Sequence, residues 1–317
     1  MVTVDDVTAA RARIAHGVRK TALIVSPALS KACGADVLLK LELSQVTCSF
    51  KARGALNAVL QVDPCTQLIV TASAGNHGRA VAWAAEQAGH RAVVFTPCSA
   101  PRTKIEPIVA HGAELRAQAA NYEDAEQQAI VFANEHGATF ISPYNHPHVI
   151  AGAGTIALEL IEEDDAIDTI VVPIGGGGLI SGIALAVKAL RPAIRVIGVE
   201  VEASAAFTAA RAAGRIVPIA VGPTIADGLG GNVEPETITW PFIRDLVDGI
   251  IVVREPDVLS AMRLLAGAEH VRAEGAAATA LAGVLAARAD FNARRVAVVL
   301  TGANIDPDVF ARLIGRV

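Results

Sequence analysis

The chain has 317 residues and a formal net charge of −5, a length that suits one large or two ordinary domains. A charge this small, with no block of like sign, excludes a basic nucleic-acid-binding surface and a disordered acidic tail. The amino-terminal segment MVTVDDVTAARARIAHG lacks the basic region and apolar core of a signal peptide, and no apolar run is long enough to span a bilayer.

Short β-branched runs alternate with alanine-rich stretches of helical spacing. Several of the runs are apolar throughout, which is typical of strands covered on both faces. The repetition of strand, helix and strand predicts a mostly parallel sheet with helices on both faces. The predicted strands are 37–43, 68–72, 92–96, 169–174, 195–201, 249–253 and 295–301, and helical spacing covers 78–89, 148–163, 179–191 and 258–271, with Gly89 at a helix end.

We predict two domains. Residues 68–145 have the pattern of a compact α/β unit of four strands, and no long linker separates this unit from the rest. The unit is expected to be a small mobile domain inserted into a larger one, which residues 1–67 and 146–317 build together.

The stretch TCSFKARGALNAV, residues 47–59, places Lys51 between Phe50 and Ala52 at the start of an apolar helix. Burial disfavours the charged form of a lysine, and a neutral amine is a nucleophile. We therefore interpret Lys51 as the site of a covalent cofactor; the alternative is a lysine whose charged end reaches the solvent. The cysteines have no zinc-ligand spacing and are expected to be free thiols: Cys33, Cys48, Cys65 and Cys98.

Glycine is concentrated in PIGGGGLISG, residues 173–182, which follows a predicted strand and opens a helix. Glycines at such a place let backbone amides converge on an anion at the start of the helix. The spacing is neither GxGxxG nor GxxxxGK[ST], so neither a dinucleotide nor a nucleoside triphosphate is indicated. A single compact phosphate fits better, and a tight turn without a ligand is the alternative.

A second strand-to-helix junction is TASAGNHGRA, residues 71–80. Ser73, Asn76 and His77, together with Gly75 and Gly78, would present hydroxyl, amide and backbone donors at one helix start. Such a cluster is suited to a carboxylate. The alternative is that Ser73 or Asn76 only caps the helix.

A third motif, LTGANID, covers residues 300–306 and follows the last predicted strand. Thr301 stands where that strand ends, and ligands of open α/β sheets gather at the carboxyl ends of strands. A cap of a helix or turn is the alternative for this residue.

Together these motifs resemble the fold type II pyridoxal-phosphate enzymes, in the branch of the serine/threonine dehydratases and serine racemases. SFKARGA is similar to the Ser-Phe-Lys-x-Arg-Gly-Ala pattern of the branch, SAGNHG to its Ser-x-Gly-Asn-His-Gly loop, GGGGL to its phosphate loop and TGANID to its Ser-Gly-Gly-Asn segment. The resemblance runs from about residue 20 to 306. It implies a two-domain α/β fold of the tryptophan synthase β type, with mostly parallel twisted sheets flanked by helices.

The resemblance also implies a role for each motif. Lys51 would form a Schiff base with pyridoxal 5′-phosphate and, once displaced by the substrate, would remove the α-proton. The cofactor would be held by Phe50, by Asn76 at its ring hydroxyl, by Thr301 at its pyridine nitrogen and by Gly175, Gly176, Gly177 and Gly178 at its phosphate, and the substrate carboxylate by Ser73, Ala74, Gly75, Asn76 and His77.

The implied reaction is β-elimination from L-threonine or L-serine, which gives a 2-oxo acid and ammonia. Thr301 replaces the usual serine of the family but keeps the hydroxyl, so the cofactor ring stays uncharged. Ala74 stands where racemases of this family carry a serine, and its methyl group has no proton to donate. Alternatives are a dehydratase of 3-hydroxyaspartate or another hydroxylated amino acid, a serine racemase, a β-replacement enzyme, and an amino-acid-binding protein without catalysis.

Three further expectations follow from the resemblance. Racemase-like members bind a divalent metal through a glutamate, a carbonyl four residues on and an aspartate two beyond; Glu200 and Ser204 match, but the third position is Ala206, so we expect no metal. Glu274, in RAEGAAATAL, is expected to line the site, with a plain helix start as the alternative. The protein is expected to be a cytoplasmic homodimer that acts on an amino acid, with no membrane or nucleic-acid partner and no isoleucine-type regulatory domain.

Overall fold

The computed structural model describes residues 1–63, 65–66 and 68–315, and within these ranges ten strands form two separate sheets. The sheets are wrapped by helices on both faces. In chain order the elements are α1 (Val4–Ile14), β1 (Leu23–Val25), α2 (Pro27–Cys33), β2 (Asp36–Lys40), α3 (Lys51–Val59), β3 (Leu68–Ala72), α4 (Asn76–Ala88), β4 (Arg91–Pro97), α5 (Arg102–Ala110), β5 (Glu114–Ala119), α6 (Tyr122–Glu135), β6 (Thr139–Phe140), α7 (Pro147–Glu163), β7 (Thr169–Pro173), α8 (Gly178–Leu190), β8 (Arg195–Val201), α9 (Ala206–Ala213), α10 (Thr239–Leu246), β9 (Gly249–Val253), α11 (Glu255–Ala268), α12 (Gly275–Ala286), α13 (Arg288–Phe291), β10 (Arg295–Val299) and α14 (Pro307–Ile314).

The larger sheet has six strands in the order β1-β2-β10-β7-β8-β9. All neighbours are parallel except β1, which pairs antiparallel with β2. One row of paired residues crosses the sheet through Leu39, Val298, Val171, Ile197 and Gly249. Apolar clusters cover both faces, which explains the uninterrupted apolar runs of these strands. The prediction of an α/β fold with mostly parallel sheets is confirmed.

The smaller sheet has four parallel strands in the order β5-β4-β3-β6. Its strands run from Leu68 to Phe140, so four strands fall within the segment for which four were expected. The division of the chain into domains at residues 68 and 145 stays a prediction. Three short or polar strands, β1, β5 and β6, were not among the predicted ones.

Three predicted strands end earlier than expected: 169–174 ends at Pro173, 295–301 ends at Val299, and the largest difference is in 37–43. The run 37–43 continues as β2 only to Lys40, and a 3-10 turn follows at Glu42–Ser44. The reason is a buried ion network. Arg53 Nη2 donates to Glu42 Oε1 at 2.8 Å, and its Nη1 donates to Glu159 Oε1 at 2.6 Å. Lys40 Nζ lies 2.8 Å from Glu159 Oε2. The chain therefore turns at Glu42 to place its carboxylate inside, on Arg53.

Helices α3 and α7 pack very closely because both carry glycine at their crossing point. A Cβ on Gly54 would lie 2.8 Å from the carbonyl oxygen of Val149, and one on Gly152 would lie 2.6 Å from that of Arg53. The contact fixes α3 against the core, and Lys51 stands at the first position of that helix. Among the described helices, none has the length and apolar character that a membrane crossing requires.

Candidate active site

The segment before Lys51 is tied to the segment after β10. Ser49 and Gly302 form an isolated antiparallel bridge, and the amide of Phe50 donates to the carbonyl of Thr301 at 3.0 Å. Thr301 itself is buried, and it does not begin a helix, since α14 starts further on, at Pro307. Two of the predicted motifs therefore lie side by side, although they are about 250 residues apart in the sequence.

Lys51 is held in an environment without a negative charge. Its Nζ donates to the carbonyl of Pro143 at 2.7 Å and lies 5.1 Å from the centre of the Phe50 ring. No carboxylate in the described ranges forms an ion pair with it. Desolvation lowers the pKa of Lys51 to about 8. The amine is thus neutral for part of the time near neutral pH, as nucleophilic chemistry requires.

The loop before α4 does not cap that helix with a side chain. Gly75 occupies the cap position, the hydroxyl of Ser73 accepts from the amide of Gly75 at 3.1 Å, and Asn76 is the first helical residue. The amides of the first turn have no acceptor within the part of the chain that the structure describes. Gly78 is required here because a Cβ would lie 2.1 Å from the carbonyl oxygen of Ser73. The backbone amides at the start of α4 are therefore available as hydrogen-bond donors to a ligand.

Glu274 lies against Asn76 and the end of β10. Asn76 Nδ2 donates to Glu274 Oε1 at 2.7 Å, and the amide of Glu274 donates to the carbonyl of Gly302 at 3.1 Å. A Cβ on Gly302 would lie 2.4 Å from Glu274 Oε1. Glu274 also precedes α12 at the cap position, so it is both a helix start and a neighbour of Asn76. Burial, with a smaller contribution from the charge of Asp227, raises the pKa of Glu274 to about 7.

His77 is buried and faces the end of the small sheet. Its Nε2 lies 3.0 Å from the carbonyl oxygen of Ile141, which can only accept, so Nε2 carries the proton. Burial, followed by the charge of Lys51, lowers the pKa of His77 to about 3. Nδ1 is therefore an acceptor. The group of His77 that has a free proton for a carboxylate is its backbone amide.

The glycine loop before α8 leaves no room for side chains. Gly177 has a φ of 86°, in the left-handed region that favours glycine. A Cβ on Gly176 would lie 2.3 Å from the ring of Tyr144, and one on Gly177 would lie 2.6 Å from Cδ1 of Ile243. None of the amides of Gly175–Gly178 donates to a protein group in the described ranges. Free amides at a helix start attract an anion.

The loop 142–147, with the sequence SPYNHP, forms a wall of the site that the sequence did not reveal. Pro143 accepts from Lys51, and the ring of Tyr144 lies against the glycine loop. The amide of Glu234 donates to Tyr144 Oη at 3.2 Å, and Asn145 Nδ2 donates to Glu234 Oε2 at 2.6 Å. Pro143 and Tyr144 follow a strand end, a position typical of ligand-binding loops in α/β sheets. The sequence did not reveal this position because the strand before it, β6, has only two residues and was not predicted.

Contacts also join the two sheets near the place where these motifs meet. Arg79, on α4, donates from Nη1 to Asn304 Oδ1 at 2.7 Å. Lys104, on α5, forms an ion pair with Asp227, which begins a 3-10 turn beside Glu274. The site is thus built half from loops of the small sheet and half from loops of the large one.

Glu200 and Ser204 lie elsewhere, at the end of β8. The carboxylate of Glu200 accepts from the amides of Phe207 and Thr208, at 2.7 and 2.8 Å, and from Thr208 Oγ1 at 2.6 Å. Ser204 Oγ accepts from the amide of Gly231 at 3.1 Å. Glu200 therefore satisfies the start of α9. No cluster of three or more histidine, cysteine, aspartate or glutamate residues suited to a metal ion occurs among the residues described.

Comparison with known proteins decides the family. Residues 14–302 match the family of pyridoxal-phosphate dependent enzymes. The chain belongs to this family. It is 37% identical over 318 residues to the L-threonine ammonia-lyase of Thermotoga maritima, an alignment that covers 100% of this chain and 79% of that one.

Solved structures of the family have the same fold. Maize serine racemase superimposes with a TM-score of 0.93 at 35% identity, covering 98% of this chain and 96% of that one. Threonine deaminase from T.th. gives a TM-score of 0.89 at 37% identity, covering 96% of this chain and 99% of that one. The resemblance drawn from the motifs is confirmed, as is pyridoxal phosphate as the cofactor of this family of enzymes.

The groups present fit that cofactor. The free amides of the glycine loop suit its phosphate, and the desolvated amine of Lys51 suits its aldehyde. Asn76 retains one N–H after its bond to Glu274, and Thr301 brings a hydroxyl to the strand end. The chemistry of the donor set thus agrees with a phosphorylated pyridine aldehyde.

Proposed function

We propose that this protein is a pyridoxal-phosphate-dependent ammonia-lyase of β-hydroxy amino acids, and that it converts L-threonine or L-serine to a 2-oxo acid and ammonia. The observation that carries the proposal is the desolvated Lys51, placed between Pro143 and Phe50 at the head of α3. Relatives named threonine ammonia-lyase and threonine deaminase, alike over nearly the whole chain, support it. The protein is proposed to be a cytoplasmic homodimer.

The proposed reaction assigns one task to each group. The free amides at the start of α4 and the hydroxyl of Ser73 hold the substrate carboxylate. The amine of Lys51 would anchor the cofactor and, once free, would take the α-proton. The bound cofactor supplies the sink for the electron pair left at Cα. Thr301 offers a hydroxyl and no charge to the cofactor ring. The β-hydroxyl leaves as water with one proton, which balances the α-proton held by Lys51, and the dehydrated product hydrolyses to the 2-oxo acid and ammonia.

A panel of amino acids tests the proposal. Release of 2-oxo acid is measured for L-threonine, L-serine, 3-hydroxyaspartate and phenylserine, with alanine as the substrate that has no leaving group. We expect turnover of threonine or serine and none of alanine. Sulfide with O-acetylserine is the control for β-replacement. Bleaching of the cofactor band by serine without any 2-oxo acid would instead identify a binding protein and contradict the proposal.

Serine racemase is the second candidate, since maize serine racemase has this fold at 35% identity. Racemisation needs a proton donor on the face of the substrate opposite to Lys51, and Ala74 has none. We expect L-serine to be converted to pyruvate much faster than to D-serine. Release of 2-oxo acid measures the first reaction, and chiral chromatography measures the second. The change Ala74→Ser should raise D-serine formation by about a hundredfold, the lower end of the range for one added general acid. Rapid racemisation by the unaltered protein would contradict this assignment.

The lowered pKa of Lys51 predicts a pH dependence for cofactor uptake. Only the neutral amine attacks an aldehyde. With a pKa of about 8, about a tenth of the amine is neutral at pH 7 and about nine-tenths at pH 9. The rate at which cofactor-free protein takes up pyridoxal phosphate, followed by visible absorbance, should rise about tenfold from pH 6 to 7 and level off near pH 9. A rate that still rises tenfold between pH 9 and 10 would indicate an ordinary solvated lysine.

A further inference from the structure

Asn304 lies where three of the four motifs meet, and no predicted role falls on it. Its Nδ2 donates to the carbonyl of Thr47 at 2.9 Å and to Oδ1 of Asn76 at 2.6 Å. Its Oδ1 accepts from Arg79 Nη1 at 2.7 Å. Both amide protons and the amide oxygen therefore have partners, and these partners belong to the segment before Lys51 and to the loop and helix of the SAGNHG motif.

The partners determine which way round the amide of Asn304 lies. A carbonyl such as that of Thr47 can only accept, and the guanidinium of Arg79 can only donate. The nitrogen of Asn304 must therefore face Thr47, and its oxygen must face Arg79. The second proton on that nitrogen points at Asn76, so the atom of Asn76 that faces it must be the oxygen.

The orientation of Asn76 follows from that of Asn304. Its oxygen is occupied by Asn304, and one of its two N–H groups donates to Glu274 Oε1 at 2.7 Å. One N–H remains. Asn76 can therefore offer this remaining N–H to a further ligand as a hydrogen-bond donor. A free amide could have rotated to present either atom.

We propose that Asn304 is a positioning residue of the cofactor site: by fixing the amide of Asn76, it keeps one N–H of Asn76 turned towards the ring hydroxyl oxygen of pyridoxal phosphate. The inference rests on the role proposed for Asn76, and it does not depend on which substrate is used. Asn304 also ties this amide to Thr47, four residues before Lys51. The two groups that would hold the aldehyde end of the cofactor are therefore joined through one side chain.

The change Asn304→Asp tests the inference. Aspartate has nearly the same size and still accepts from Arg79, but it has no proton for Thr47 or Asn76. The holoenzyme is dialysed against a series of pyridoxal phosphate concentrations, and bound cofactor is read from its visible absorbance. We expect the dissociation constant to rise about tenfold, as for the loss of one buried hydrogen bond. The matched change Asn134→Asp, on the exposed face of α6, should leave it unchanged.

A double-mutant cycle separates positioning from a general structural role. If Asn304 acts through Asn76, the change Asn304→Asp in an Asn76→Ala background should alter the dissociation constant less than twofold. An undiminished tenfold effect in that background would overturn the proposal. If Asn304→Asp does not fold, Asn304→Ser takes its place in the same cycle. Cofactor binding is measured without substrate, so this test does not depend on the proposed reaction. A parent enzyme that releases no 2-oxo acid would contradict the proposed function, and the role of Asn304 in cofactor binding could still be measured.

Discussion

Replacing Lys51 with alanine is expected to lower the rate of 2-oxo acid release by roughly 10³-fold or more, since the change removes the proposed covalent anchor and the proposed base together. The purified Lys51→Ala protein should also lose its visible cofactor band after gel filtration. Lys51→Arg keeps the positive charge but cannot attach the aldehyde, so it should be equally inactive.

The matched control is Lys20→Ala. Lys20 lies 3.2 Å from Glu163 in an ion pair whose lysine side chain is 60% exposed, and it is outside the site. Its replacement should leave both the absorbance and the rate unchanged. Full activity of Lys51→Ala with the visible band retained would contradict the assignment of Lys51.

Replacing Arg53 with methionine is expected to cost about 3–5 kcal/mol of unfolding free energy, because it leaves the buried carboxylate of Glu42 without a charged partner and leaves Glu159 with Lys40 alone. The side chains of Arg53 and Glu42 are 1% and 0% exposed. Urea unfolding at neutral pH measures the change. Adding Glu42→Gln to the same protein removes one stranded charge and should recover part of the loss.

Arg102→Ala serves as the control for this prediction. Arg102 pairs with Glu106 on α5, and the two side chains are 86% and 61% exposed. Exposed pairs of this kind contribute little to stability, so the urea midpoint should not shift measurably. If Arg53→Met were no more destabilising than Arg102→Ala, the buried network would not be a main support of the fold.

The parts of the site that the sequence predicted are those whose chemistry is local. Lys51 stands among apolar neighbours, and the glycines of 175–178 follow a strand and open a helix. Each pattern has its physical reason within about ten residues. For the same reason β3, β8 and β9 were predicted with the ends that the structure gives them: their apolar runs are short and sharply bounded.

The parts that the sequence did not predict depend on partners far along the chain. Arg53 donates a hydrogen bond to Glu159, 106 residues later in the chain, and Asn304 donates one to Asn76, 228 residues earlier. No local pattern distinguishes such residues from surface ones. Strand β5, with the sequence ELRAQA, alternates polar residues because it lies at the edge of the small sheet. Its strand character comes from pairing with β4 and not from its own composition.

The ion pair of Lys104 with Asp227 has a consequence for how the two sheets are held together. The two side chains are 33% and 59% exposed, so dissolved ions reach and screen them, whereas the amide contacts of Asn304 and Asn76 are uncharged and indifferent to salt. High salt therefore weakens the ion pair between Lys104 and Asp227 and leaves the hydrogen bond between Asn304 and Asn76 in place. We expect salt to change this contact between the two sheets more than it changes the binding of pyridoxal phosphate.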